Sequence, residues 1–103
     1  MVIDSITLAS IRGNLELSMD VLESNIKDHY KSFNKDRVVP LNKEGFAYGF
    51  TWAQTLCNIR AFRVMMPKIN KDIQKTDEDT IREEALKVFD KRINHIVDSL
   101  TDL

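Results

Sequence analysis

A chain of 103 residues is long enough to bury one core without disulfide or metal staples, and 43% hydrophobic with 30% charged residues at a net charge of -1 is far from the composition of disorder. The single cysteine, Cys57, closes no internal disulfide, no apolar run reaches the ~20 residues that cross a bilayer, and no leader-like stretch opens the chain. These features argue against a membrane-spanning chain and a disulfide scaffold, and lead us to expect one helical domain over residues 1–103 in a cytoplasmic setting.

The chain has only three glycines and two prolines, and its apolar residues recur in steps of three and four. That spacing belongs to helices and not to strands. The first helix is expected from Asp4 or Ser5, either of which caps free amides, to about Asn34. Its stripe is Leu8, Ile11, Leu15, Met19, Leu22, Ile26, Tyr30 and Phe33. Gly13 costs ~1 kcal/mol relative to alanine inside this helix, which makes a break at Gly13-Asn14 the alternative.

Val39 precedes Pro40 and is pushed toward extended backbone, so residues 35–41 form the first connection and Asn42 caps the second helix. The second stripe, Trp52, Leu56, Ile59, Met66, Ile69 and Ile73, runs through Pro67. A proline there is expected either to kink the helix or to open a new short one. Gly45, Gly49, Ala53, Cys57 and Ala61 place a small residue at every fourth position, which lays down a shallow groove fit for close helix approach.

Thr76 and the acids that follow it mark the start of a third helix, expected from about Asp77 to Leu100. Ile81, Ala85, Val88, Phe89, Ile93, Ile96 and Leu100, widened by Leu86 and Val97, give it an arc broad enough for more than one neighbour. Short connections make successive helices antiparallel. The expected fold is therefore all-α: an antiparallel up-down-up bundle of about three long helices, the middle one kinked or broken near Pro67, completed by oligomerisation.

The charges are unevenly placed. Residues 27–75 hold ten Lys or Arg against four Asp or Glu, while both flanks are acidic. Most of this asymmetry matches helix dipoles, since Lys27, Lys31 and Lys35 close the first helix and Lys68, Lys71 and Lys75 close the second. Arg60, Arg63 and Arg92 fall inside apolar arcs and form a candidate anion-binding set, unless Glu16 or Asp20 neutralises Arg60 across the first two helices. Neutralisation is the expected outcome.

Phosphate-loop, dinucleotide, nucleophile-elbow and zinc-protease motifs are all missing. His29, His95 and Cys57 lack metal-ligand spacing, and the histidines read as flank residues and Cys57 as a small core residue. No catalytic residue, metal or cofactor is expected. Ile6, Leu17 and Val21 form a second apolar line opposite the main stripe of the first helix, and with Gly45, Gly49 and Ala53 they make the candidate interface. The sequence thus leads to the expectation of a small helical protein-protein interaction module, of the accessory kind that bacteria and phages carry. It would act as an adaptor, inhibitor or regulator through a homo-oligomer and a protein partner. The alternative is a nucleic-acid-binding regulator on the basic segment 27–75.

Overall fold

The structure, a computed structural model, describes residues 5–69 and 75–102, with side chains over 5–65 and 78–102. It is all-α, with helices α1 (Ser5–Asn34), α2 (Lys43–Ile69) and α3 (Lys75–Thr101). Helix α3 begins at Lys75, so Thr76 and Asp77, expected to cap it, lie within its first turn, and Lys75, expected to close the second helix, opens the third. Asp4, the stripe member Ile73 and the side chains of Met66 and Ile69 lie outside the described residues.

The apolar stripe of α1 becomes the core, except for Phe33 at its end, which is 57% exposed. Ile11, Leu15, Met19, Leu22, Ile26 and Tyr30 are buried, with Leu8 packed against them. Gly13 does not break the helix. Ile11 and Leu15, on either side of it, are both anchored in the core, and their burial outweighs the glycine's conformational cost.

The connection to α2 is held by side chains of α1 itself. The Tyr30 hydroxyl donates to the Leu41 carbonyl at 2.5 Å, the Leu41 amide donates to Asn34 Oδ1 at 2.7 Å, and Asn34 Nδ2 donates back to the Tyr30 carbonyl at 2.7 Å. Asn42 then caps α2 as expected, its Oδ1 accepting from the Gly45 amide at 2.8 Å. Phe33, Phe46 and Phe50 cluster beside this turn with centroids 5.4 to 6.4 Å apart.

Cross-helix pairs fix the directions. Arg12 meets Glu84, Glu16 meets Lys91 and Glu23 meets His95, so numbers rise together and α1 runs parallel to α3. Tyr30 meets Phe46 while Ser18 meets Asn58, which makes α2 antiparallel to α1. Trp52 against Phe89 and Arg63 against Glu78 make α2 antiparallel to α3. The expected up-down-up order holds. The α2–α3 contact is the most extensive and the α1–α2 contact the least, leaving an elongated body of 51 × 22 × 17 Å.

Helix α2 continues through Pro67 to Ile69 without breaking there, which leaves the first of the two expected alternatives, and it departs from expectation in the side it buries. Its buried side is Ala47, Thr51, Thr55 and Ile59, whereas Trp52 and Leu56 are 39% and 45% exposed. The physical reason is that α2 is apolar around most of its circumference, so hydrophobicity carries little directional information. The small side, Ala47-Thr51-Thr55, faces inward. Trp52 covers the seam instead, edge-on to Phe89 with centroids 5.3 Å apart.

Burying threonines has a cost. Thr55 Oγ1 donates to the Thr51 carbonyl at 2.9 Å, but Thr51 Oγ1, fully buried, has no hydrogen-bond partner. An unpaired buried hydroxyl is worth less than a methyl group of the same shape. Thr51→Val is expected to raise stability by about 1 kcal/mol in chemical denaturation, and Thr55→Val to bring no such gain. A Thr51→Val variant that unfolds at lower denaturant than the parent would contradict this assignment.

Candidate protein-interaction surface

Two seams join α1 to its neighbours, and they differ in chemistry. Against α3 the seam is ionic. Arg12 forks onto Glu84, Nε at 2.8 Å and Nη2 at 3.0 Å from its two oxygens. Arg92, with only 15% of its side chain exposed, reaches Glu16 at 3.0 Å, Asp20 at 2.6 Å and Glu23 at 3.3 Å. Lys91 adds a contact to Glu16, and His95 Nδ1 a contact to Glu23.

These partners move the ionisations. Burial alone pushes the Arg92 pKa down, but hydrogen bonds to Asp20 and Glu16 outweigh it and hold the guanidinium above its ordinary value. The hydrogen bond from Arg12 is the main cause that holds the Glu84 carboxyl below the usual range, against its own desolvation. For Glu16 desolvation pushes upward, and the hydrogen bonds and charges of Arg92 and Lys91 together pull it below.

Against α2 the seam is polar and uncharged. Asn58 Nδ2 donates to Ser18 Oγ at 2.9 Å and Gln54 Nε2 donates to Asn58 Oδ1 at 3.0 Å. Here the helices stand apart around an open groove of about 380 Å³ whose walls include Leu17, Val21, Asn25 and His29. Val21 and Leu17 remain 55% and 59% exposed, and Ile6, nearer the start of α1, is 82% exposed.

Helix α2 carries a second open face. From Gly45 to Ile59 the chain has no charged residue, fifteen positions in a protein that is 30% charged. Gly45, Gly49, Ala53 and Cys57 are exposed, and Tyr48 (41%) flanks them together with Trp52 and Leu56. A Cβ built on Gly49 would meet nothing within 4 Å, so no contact in the protomer explains the small side chain. The candidate interface residues thus all lie on the surface, Leu17 and Val21 in the α1–α2 groove and Gly45, Gly49 and Ala53 on the outer side of α2. Cys57, expected in the core, sits on that same outer side because the inward positions go to Thr55 and Ile59.

The candidate anion set is divided. Arg92 belongs to the ionic α1–α3 seam, where Glu16 and Asp20 neutralise it and do not reach Arg60. Arg60 and Arg63 instead line a recess of about 300 Å³ with Arg82 of α3, and Leu56, Cys57 and Ile59 complete its wall. Arg82 escaped sequence reasoning. It falls outside the apolar arc of α3, and only the antiparallel α2–α3 register brings it to Arg60. No group of three or more metal-ligating side chains occurs among the described residues. No described helix is long and apolar enough to cross a membrane. Comparison with protein-family models, curated proteins and solved structures finds no match.

The seam chemistry sets an acid response. A carboxyl whose folded pKa is depressed adds stability that is present above its unfolded pKa and lost as pH falls through the folded value. Glu84 and Glu16 are both of this kind. The melting temperature is expected to drop as pH falls below about 5. Glu84→Gln should lie below the parent at neutral pH and show a shallower acid slope. Identical slopes in the two proteins would show that the Arg12 fork does not carry the effect.

Proposed function

We propose that the chain is a small helical protein-protein interaction module that self-associates through the outer face of α2 and works by binding, as an adaptor, inhibitor or regulator. The observation that supports this most is the uncharged stretch Gly45 to Ile59 with one side in solvent. A helix without charge around its circumference is normally buried on all sides, yet α1 and α3 cover only part of α2. An exposed row of glycine and alanine flanked by Tyr48 and Trp52 suits the close approach of a second helix. Small side chains let backbones near each other while the aromatic rings supply contact area. Leu17 and Val21 offer an additional apolar strip for a protein partner.

A nucleic-acid role finds less support. The phosphate backbone demands an extended cationic surface, whereas neither the α1–α2 groove nor the Gly45-to-Ile59 face presents a Lys or Arg. Lys87, Lys91 and Arg92 are bound to carboxylates, and Arg60, Arg63 and Arg82 are gathered in one small recess and not spread along a face.

Trp52, the sole tryptophan, reports on the proposed face. Ala53 is exposed, so Ala53→Glu should leave protomer stability within about 0.5 kcal/mol. In the assembled parent, acrylamide should quench Trp52 weakly; in Ala53→Glu, quenching should rise and emission move to the red. Equal quenching in both proteins, at micromolar concentration and above, would refute self-association through this face.

A further inference from the structure

Apart from Arg37 in the first connection, the arginines of this protein divide into two groups. Arg12 and Arg92 are held by carboxylates, one through a two-point fork and the other through three acids. Arg60 and Arg82 meet no carboxylate among the described residues, and Arg63 has only Glu78 at 3.8 Å, beyond hydrogen-bond distance. All three of these line one recess between α2 and α3.

Three like charges gathered around one concavity repel each other, and among the described residues Glu78 is the one acid within ion-pair distance of any of them. The guanidinium fork matches the oxygens of phosphate or carboxylate in two-point contact, which a lysine ammonium does not. Among the described residues the three cations have one carboxylate within ion-pair distance, a surplus that complements a phosphate monoester, which carries about -1.5 to -2 near neutral pH. The rest of the wall is apolar. Leu56 and Ile59 give the recess a surface that a bare inorganic ion would not use but an organic substituent would.

We infer that the Arg60-Arg63-Arg82 recess is a binding site for a small organic phosphate monoester, the phosphoryl group held by the guanidiniums and the organic group laid on Leu56 and Ile59. Binding there involves no bond making or breaking. The recess shares Leu56 and Cys57 with the outer side of α2, but its guanidiniums lie beyond the Gly49-Ala53 part proposed for self-association. Binding is therefore measured in Ala53→Glu as well as in the parent, and the two proposals can fail independently.

The probe is phenyl phosphate, compared with inorganic phosphate and with a duplex oligonucleotide at fixed ionic strength by titration calorimetry. Phenyl phosphate is expected to bind saturably, one per protomer, and on the order of tenfold more tightly than inorganic phosphate. Arg60→Ala/Arg82→Ala should weaken it roughly tenfold or more. Arg37→Ala, whose arginine contacts only its own loop, should bind as the parent does. Cys57 supplies a second readout that does not depend on stability. It is the sole cysteine, exposed and on the recess wall, so bound phenyl phosphate should slow its alkylation in the parent but not in the double variant. The inference is overturned by any of three results. They are no saturable binding up to about 10 mM, equal binding and equal Cys57 protection in the double variant, or a duplex that binds more tightly than phenyl phosphate.

Discussion

Helix α2 carries fifteen consecutive residues without a charge, and two neighbouring helices do not suffice to cover it. Much of what distinguishes this structure follows from that mismatch. One side of α2 must go inward, and the side chosen is Ala47-Thr51-Thr55, whose short side chains let α3 pack closely against it. The larger residues Tyr48, Trp52 and Leu56 are left at the edge and the glycines at the back. Full burial of one large apolar side chain is worth about 1.5 to 3 kcal/mol, so leaving three of them half in water forgoes several kcal/mol that an assembled state would recover.

The seams of α1 compensate for the featureless character of α2. Apolar stripes alone would let α1 slide along α3 by a turn, since a step of one turn re-matches much the same side chains. Charged pairs do not allow that freedom. Arg12 with Glu84, Arg92 with its three acids and Glu23 with His95 span more than three turns of α1 and agree on one register. Partly exposed pairs of this kind add little net stability, because solvent screening and desolvation offset attraction, but breaking one leaves a group that the alternative register cannot pair. On the other side, Ser18, Gln54 and Asn58 hold α2 at a distance that leaves the groove open.

The legibility of the chain tracks this division. Helices α1 and α3 could be read almost residue by residue, because their apolar stripes alternate with charges and so point in one direction. Ile11 through Tyr30 and Ile81 through Leu100 lie where the spacing put them. The Asn42 cap was likewise decided by local chemistry, and the continuity across Gly13 by the apolar stripe on either side of it. The orientation of α2 was not, since a stripe through Trp52 and Leu56 and one through Thr51 and Thr55 are equally free of charge. The arginines show the same limit. Arg60, Arg63 and Arg92 were noticeable because a charge interrupts an apolar arc, but which acid meets which arginine depends on the register between helices. Glu16 and Asp20 went to Arg92, and Arg82 took its place beside Arg60. The missing signal was the charge-free run from Gly45 to Ile59, which supports the proposal that α2 needs a further neighbour.

That need is tested most directly by the solution mass from multi-angle light scattering, measured over a hundredfold range of concentration and compared with the 11.9 kDa of one chain. A mass at a whole multiple of that value, falling toward it on dilution or staying there throughout, is the predicted result. A mass of 11.9 kDa at every concentration would mean that the outer face of α2 stays in water, and would contradict the central claim.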